Sequence, residues 1–261
     1  MKLNYLYVAL LALGSMLCFS FTGMADKPTL YIIGDSTVKN GTGMGLDSLW
    51  GWGSFMDTHF DTLKISEQNH AIGGRSSRTF LTDGRWDKIL SILKKGDYVI
   101  MQFGHNDGGP LDDTSRARGT IPGTGNDSTA IYNPIRKVNE TVHTYGWYMR
   151  NYVNETKAKG ATAIICSPVP RNTFETDGTI KKDKYAAWAK EVATETSAYF
   201  IPLNDMIIEN YQKSGAEAVK NYFPTDHTHT NREGAKLNAK IVVQGVKQLP
   251  SGCKLKNYIK K

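Results

Sequence analysis

The sequence predicts an α/β protein in which a five-stranded, mainly parallel sheet lies between two layers of helices. Short apolar runs, of the kind that parallel sheets bury on both faces, alternate with longer segments of helical periodicity. Such alternation is typical of a parallel sheet with helices on both faces. Residues 26–261 suit a single domain of this class, and no internal repeat is visible.

The first strand is predicted at residues 30–33, an apolar run that ends at a glycine. Residues 50–60 are predicted as a helix and residues 63–65 as a short strand. A further helix is predicted at residues 85–95, and it leads into residues 98–103, a continuous apolar run typical of a buried parallel strand. The apolar residues of that helix have the spacing of one helix face: Trp86, Ile89, Leu90 and Leu93.

Residues 108–134 lack periodicity and are rich in Gly, Pro, Asp, Thr and Ser, which predicts a long loop at the rim of a site. Residues 141–159 are predicted as a long helix. Its predicted packing stripe comprises Tyr145, Tyr148, Met149, Tyr152 and Val153. The remaining predicted elements are strands at residues 161–166 and 199–203 and helices at residues 185–197, 205–219 and 232–248.

The first 25 residues have the composition of a secretory signal peptide. Lys2 precedes an apolar stretch over residues 6–21, and Gly23 and Ala25 supply the small residues expected before a cleavage site. The apolar stretch is short for a membrane span, and polar residues follow it directly. We therefore expect cleavage after Ala25 and a secreted or periplasmic protein that does not remain in the membrane.

The formal net charge is +7, and the Lys and Arg residues are scattered along the chain. Nucleic-acid-binding domains usually concentrate such residues in a patch, so we expect no nucleic-acid partner. A mildly basic surface is compatible with a polyanionic polysaccharide, and we expect the chain to act as a monomer. Beyond the signal peptide, Cys166 and Cys253 could pair in an oxidising compartment, or Cys166 could be a buried residue of its strand.

Polar residues follow the predicted strands at the edge where open α/β sheets bind ligands. Ser36 comes directly after the first strand, where it could be a nucleophile, cap a helix or fill a turn. The pair Gly73-Gly74 would let the backbone approach a ligand closely, or could form an ordinary turn. The cluster at residues 105–107 follows the strand at residues 98–103, and a third loop lies at residues 167–172.

Near the C-terminus, Asp226, His227 and His229 occupy three of four consecutive positions. A hydrolytic serine needs a base and a carboxylate that fixes the tautomer of that base, and Asp226 and His229 can supply both. A zinc site formed by all three residues and a purely structural turn are the alternatives, although the His-Glu-x-x-His pattern of metalloproteases is absent. The Gly-x-Ser-x-Gly elbow of α/β-hydrolases is also absent, so a nucleophilic Ser36 requires a different scaffold.

The motifs Gly34-Asp35-Ser36, Gly73-Gly74-Arg75, Gly104-His105-Asn106-Asp107 and Asp226-x-x-His229 resemble, in order and spacing, the four blocks of the SGNH (GDSL-like) hydrolase superfamily. Within it, Gly-Asp-Ser-Thr, Asn-x-Ala-x-Gly-Gly-Arg-Ser-Ser-Arg, Phe-Gly-His-Asn-Asp and Phe-Pro-x-Asp-His-Thr-His-Thr are similar to the rhamnogalacturonan acetylesterase family. The resemblance covers about residues 29–245. It implies the flavodoxin-like fold of SGNH hydrolases and an SGNH-type esterase domain at residues 26–261.

The resemblance implies Ser36 as nucleophile, His229 as base and acid, and Asp226 as the orienting carboxylate. It implies an oxyanion hole made by the backbone N–H groups of Ser36 and Gly74 and the side-chain amide of Asn106. Further candidates for substrate contact are Arg75, His105, Asp107 and His227.

The implied activity is that of a serine carbohydrate esterase that removes O-acetyl groups from a pectic polysaccharide such as rhamnogalacturonan. The implied mechanism uses no metal and no organic cofactor. The alternatives are an O-acetylesterase acting on xylan or peptidoglycan, a lipase-like esterase, and a carbohydrate-binding protein that keeps the cleft without turnover.

Overall fold

The structure of the protein, a computed structural model, describes residues 27–42 and 49–260. The predicted signal peptide at residues 1–25 lies outside the described residues. No helix within the two described ranges is long and apolar enough to cross a membrane.

The described residues form seven β-strands. In chain order they are β1 (Thr29–Gly34), β2 (Ser66–Asn69), β3 (Tyr98–Gln102), β4 (Ser128–Asn133), β5 (Val138–His143), β6 (Thr162–Cys166) and β7 (Tyr199–Ile201). Five of them form a parallel sheet in the order β2-β1-β3-β6-β7, whereas β4 and β5 form a separate antiparallel hairpin.

Eight α-helices and two short 3-10 helices, Trp52–Phe55 and Lys254–Tyr258, complete the described secondary structure. The α-helices are α1 (Met56–His59), α2 (Ser77–Thr82), α3 (Arg85–Ile92), α4 (Tyr145–Ala158), α5 (Lys184–Glu195), α6 (Leu203–Ser214), α7 (Ala216–Lys220) and α8 (Arg232–Gln248).

The side chains of the sheet alternate between two hydrophobic cores, as the two-residue period of a strand requires. In β1, Leu30 and Ile32 belong to the core that contains α6 and α8, whereas Tyr31 and Ile33 belong to the core that contains α2 to α5. The fold is therefore a three-layer α/β/α arrangement, and the predicted fold class is confirmed. The predicted stripe of the long helix is buried in full, including Tyr148 and Tyr152.

The strand predicted at residues 63–65 is wrong. Residues 62–64 form a turn in which Leu63 is 89% exposed, and the strand is β2, which pairs with β1 in the register Thr29↔Ser66. β2 lies at the edge of the sheet and is only partly buried, so its polar sequence does not have the apolar pattern of a core strand.

The long loop predicted at residues 108–134 is wrong in its last part, because residues 128–133 form β4. This strand and β5 are largely exposed and carry no continuous apolar run. The following helix, predicted from residue 141, begins only at Tyr145, where the Thr144 hydroxyl accepts a hydrogen bond from the Trp147 N–H at 3.0 Å as an N-cap. The helix predicted at residues 205–219 is divided into α6 and α7 at Gly215, whose φ is +83°.

The sequence left the pairing of the two cysteines open and did not predict helix α2. Cys166 and Cys253 are both buried and unpaired. Helix α2 was not predicted, and it begins with a capping box between Ser76 and Thr79. The N-cap Ser76 lies two residues after Gly74, so the cap of this helix fixes where the glycine loop ends.

Candidate active site

The topology of the sheet brings three polar loops to one edge. Strand β1 lies between β2 and β3, and all three run parallel, so the loops that follow them are neighbours. Ser36 follows β1, Gly74 lies in the loop after β2, and Asn106 lies in the loop after β3. Ser36 is therefore in the middle of the three loops, at the edge of the sheet where ligands bind in this fold class.

Ser36, His229 and Asp226 form one hydrogen-bonded chain. The Oγ atom of Ser36 lies 2.8 Å from Nε2 of His229, and Nδ1 of His229 lies 2.7 Å from Oδ2 of Asp226. The second carboxylate oxygen, Oδ1, accepts hydrogen bonds from the backbone N–H groups of Thr228 (2.6 Å) and His229 (2.7 Å). These bonds fix the turn from Asp226 to His229, three residues before α8 begins at Arg232.

The charge state of Asp226 determines the tautomer of His229. Burial raises the pKa of Asp226, but hydrogen bonds from the His229 ring and from the backbone of His229 and Thr228 lower it to about 2. The carboxylate is therefore an acceptor only, and Nδ1 of His229 must carry the proton. In the neutral ring, Nε2 is then free to accept the proton of the Ser36 hydroxyl, as a general base must.

Gly74 and Asn106 face the same cleft as Ser36 and His229, a cavity of about 670 Å³. Gly74 has a φ of +75°, which favours glycine, and its carbonyl accepts a hydrogen bond from Nη1 of Arg118 at 3.2 Å. Asn106 donates one N–H of its amide to the carbonyl of Arg75 at 2.9 Å, which leaves the second N–H for a ligand. A Cβ atom at Gly73 would lie 3.7 Å from Cβ of Ser36, so this loop is in contact with the serine turn.

Of the predicted substrate contacts, His105 lines the cleft although its side chain is only 2% exposed, whereas Asp107 is fully buried and does not line the cleft. Contact of either side chain with a substrate stays a prediction. The His105 ring lies 3.1 Å from Oδ2 of Asp35 and 2.9 Å from the carbonyl of Val169, so both of its nitrogens are engaged. Oδ1 of Asp107 accepts hydrogen bonds from the backbone N–H and the hydroxyl of Ser77. Residues 105 and 107 flank Asn106 in the sequence, and both are held by hydrogen-bond partners inside the protein.

The other two predicted substrate contacts, Arg75 and His227, lie in different places relative to the cleft. Arg75 lines the cleft, and its Nε atom donates to Oδ2 of Asp83 at 2.8 Å. His227 is exposed and does not line the cleft, and its carbonyl accepts a hydrogen bond from the N–H of Asn172 at 2.7 Å. Within the described ranges, no group of three His, Cys, Asp or Glu residues could hold a metal ion, so Asp226, His227 and His229 are not gathered as a zinc site.

The sequence did not reveal how many cations the cleft contains. Its lining includes five arginines and one carboxylate, that of Asp83. The arginines are Arg75, Arg116, Arg118, Arg136 and Arg171. Arg116, Arg118 and Arg136 lie between residues 108 and 143, a segment that carries no recognisable motif. The arginines are scattered along the chain, so the sequence gave no sign that they cluster in the fold.

The fold and the site define a serine hydrolase of the SGNH class, in which the loops after adjacent parallel strands bring together serine, glycine and asparagine, and a C-terminal loop supplies Asp and His. The chain belongs to the GDSL-like lipase/acylhydrolase family, whose model matches residues 32–237. It is a carboxylic ester hydrolase.

The chain is similar to rhamnogalacturonan acetylesterases. It is 33% identical over 221 residues to the rhamnogalacturonan acetylesterase of Emericella nidulans, with 84% of each chain covered. It is 27% identical over 256 residues to the rhamnogalacturonan acetylesterase RhgT of Bacillus subtilis, with 90% of this chain and 96% of the relative covered. Among solved structures, YxiM of Bacillus subtilis superposes with a TM-score of 0.67 at 29% identity, covering 85% of this chain but only 56% of the longer YxiM chain.

Proposed function

We propose that the protein is a serine acetylesterase that removes O-acetyl groups from an acidic, pectic polysaccharide, with rhamnogalacturonan as its substrate. The observation that carries this proposal is the cleft beside Ser36, in which five guanidinium groups face one carboxylate. The similarity to rhamnogalacturonan acetylesterases supports the same substrate class.

In the acylation step, the Oγ atom of Ser36 attacks the acetyl carbonyl while Nε2 of His229 takes the hydroxyl proton. Asp226 keeps the proton on Nδ1 and stabilises the imidazolium that forms. The tetrahedral intermediate breaks down when Nε2 returns its proton to the departing sugar hydroxyl, which leaves an acetyl group on Ser36. Water then attacks this ester with His229 again as base, and acetate is released.

The negative charge of each tetrahedral intermediate lies on the former carbonyl oxygen. The backbone N–H groups of Ser36 and Gly74 and the free N–H of Asn106 are the donors for this oxygen. Each preorganised donor of this kind contributes about 3 to 4 kcal/mol to transition-state stabilisation. All chemical steps use these protein groups, so the mechanism needs no metal or organic cofactor.

The arginines favour an acidic substrate over a neutral one. A guanidinium group binds a carboxylate through two parallel hydrogen bonds, and such charge-assisted bonds contribute about 1.5 to 3 kcal/mol each. Galacturonate residues carry a carboxylate, whereas xylose residues do not. Asp83 is already bonded to Arg75, and Glu140 lies 3.4 Å from Nη1 of Arg136. Among the described residues, the other three cleft arginines, Arg116, Arg118 and Arg171, have no carboxylate partner.

The test is acetate release from acetylated rhamnogalacturonan, acetylated xylan and O-acetylated peptidoglycan at several salt concentrations. We expect the highest kcat/KM on rhamnogalacturonan, and a KM that rises with salt for this polymer alone because salt screens exposed charges. Arg116→Gln should raise KM for rhamnogalacturonan about tenfold, the factor that 1.4 kcal/mol supplies. Lys88→Gln, which removes a charge from the exposed side of α3, is the matched control. Equal rates on xylan with no salt dependence would contradict an acidic substrate.

Export of the chain is part of this proposal. The predicted signal peptide at residues 1–25 would direct the enzyme to the periplasm or the medium, where polysaccharide is accessible. Sequencing the N-terminus of protein recovered from these compartments should give Asp26 as the first residue. A mature protein that keeps residues 1–25 would contradict this part of the proposal, and size-exclusion chromatography tests the expected monomer.

A further inference from the structure

A buried ion pair that the chemical steps do not use lies directly behind the active site. Asp35 is 0% exposed, the His105 side chain is 2% exposed, and Nδ1 of His105 lies 3.1 Å from Oδ2 of Asp35. Asp35 immediately precedes Ser36 in the chain, and His105 immediately precedes Asn106. The two members of the pair are therefore one residue from the nucleophile and one residue from the oxyanion donor.

The hydrogen bonds of His105 fit a doubly protonated ring beside an ionised Asp35. Nε2 lies 2.9 Å from the carbonyl oxygen of Val169, which can only accept. Nδ1 faces the Asp35 carboxylate, so both ring nitrogens donate and His105 is an imidazolium cation. Burial lowers the pKa of His105, but the charge of Asp35 and its hydrogen bond raise it above the ordinary value. Burial likewise raises the pKa of Asp35, and His105 holds it below the ordinary value.

The pair is part of a buried network that fixes the serine turn. Oδ1 of Asp35 accepts hydrogen bonds from the N–H (2.9 Å) and hydroxyl (2.8 Å) of Thr37. The Thr37 hydroxyl accepts from Nε2 of Gln102 at 2.7 Å, and Oε1 of Gln102 accepts from the Trp52 indole at 2.9 Å. Every step of the chain from Trp52 to Val169 is a hydrogen bond between buried groups, so the ends of β1 and β3 are joined below the active site.

Residues 105–107 also connect the oxyanion side of the site to three different segments. His105 binds Asp35 in the serine turn, Asn106 binds the carbonyl of Arg75 in the glycine loop, and Asp107 binds Ser77 at the start of α2. Only the middle residue of the three has a donor left for the substrate. The outer two are fixed inside the protein, which leaves the Asn106 backbone little freedom to move.

We propose that the Asp35–His105 ion pair is a positioning device that sets the separation between the Ser36 nucleophile and the Asn106 oxyanion donor. The two charges cannot move apart without leaving each other uncompensated in a buried site, which is strongly unfavourable. The pair therefore makes the distance between the two loops resistant to deformation. This inference rests on the proposed roles of Ser36 and Asn106 but not on the identity of the polysaccharide.

The test compares Asp35→Asn with Asp97→Asn on 4-nitrophenyl acetate, a small ester whose hydrolysis does not depend on polymer binding. Asp97 is a matched control, because it is 2% exposed and its two oxygens accept the N–H groups of Thr29 and Lys94, both at 2.8 Å. It precedes β3 and so lies at the opposite edge of the sheet from Ser36. Each substitution removes one buried carboxylate and keeps an acceptor oxygen.

We expect both variants to have a lower Tm than the wild type, but only Asp35→Asn to lose turnover. The loss should be about 10- to 100-fold in kcat with little change in KM, because displacement of a catalytic group by about 1 Å can cost that much. Equal kcat for Asp35→Asn and wild type would overturn the proposal. So would an equal kcat loss in Asp97→Asn, or an effect of Asp35→Asn on KM alone.

A second measurement does not depend on the folding of a variant. In ¹⁵N-labelled Ser36→Ala protein at neutral pH, NMR should detect two protons bound to the His105 ring, one on each nitrogen. A His105 ring with a single protonated nitrogen would overturn the proposal. A wild type that hydrolyses 4-nitrophenyl acetate but not rhamnogalacturonan would contradict only the proposed substrate. A wild type that is active, with an Asp35→Asn variant that is equally active, would contradict only the positioning role of the ion pair.

Discussion

The buried carboxyl group of Asp107 predicts a specific dependence of stability on pH. Asp107 is 0% exposed, and its Oδ1 atom accepts hydrogen bonds from Ser77 while Oδ2 has no hydrogen-bond partner among the described residues. Burial raises the pKa of Asp107 from 3.8 to about 7, although the hydrogen bonds from Ser77 lower it. The perturbation that tests this is Asp107→Asn, which keeps the acceptor oxygen for Ser77 and removes the titration.

The sign of the effect follows from the direction of the pKa shift. The folded state binds the Asp107 proton more tightly than the unfolded state, so the stabilisation is complete below about pH 4 and is lost as the pH rises through about 7. A shift of about three pKa units corresponds to about 4 kcal/mol. The free energy of unfolding of the wild type should therefore fall relative to that of Asp107→Asn by up to about 4 kcal/mol between pH 4 and pH 8.

The assay is urea denaturation of wild type and Asp107→Asn at several pH values across this range, with the difference in unfolding free energy as the readout. Taking the difference removes the other titrating groups that both proteins share. Glu217→Gln, which neutralises an exposed carboxylate on α7, should follow the wild type at every pH. A difference between wild type and Asp107→Asn that stays constant with pH would refute the reasoning, because the Asp107 carboxyl would then not titrate in this window.

Four further predictions concern the active site itself. Ser36→Ala should abolish acetate release while calorimetry still detects polysaccharide binding, and a variant with most of the wild-type turnover would contradict the nucleophile. His229→Ala should lose nearly all activity. His227→Ala should keep a measurable rate, because the side chain of His227 is exposed outside the cleft. Steady-state rates with the opposite ranking would assign the base to His227. Asn106→Ala should lower kcat by about 10²- to 10³-fold with a smaller rise in KM, and an effect confined to KM would make Asn106 a substrate-binding residue. Dialysis against EDTA should leave the rate unchanged, because both ring nitrogens of His229 are already bonded to Ser36 and Asp226; activity lost on dialysis and restored by zinc would contradict this.

The sequence by itself determined the elements of the two cores. The apolar runs of β1 and β3 are buried on both faces of the sheet, so their composition alone identifies them as parallel strands. The packing stripe of α4 and the bounds of α8 follow from helical periodicity, which is a local property. The order of the polar motifs also indicated which loops meet, because the ends of parallel strands lie at one edge.

Only the tertiary structure decided the elements and side chains whose environment comes from distant parts of the chain. Strand β2 is only partly buried and the β4–β5 hairpin is largely exposed. Their formation therefore depends on pairing with other strands and leaves no apolar pattern in their sequence. His105, Asn106 and Asp107 are consecutive polar residues, but only Asn106 keeps a donor for the cleft, because Asp35 and Ser77 from other loops hold its two neighbours inside the protein. The arginine-lined cleft likewise gathers residues from positions 75 to 171, and their common location is a property of the folded chain that no local pattern contains.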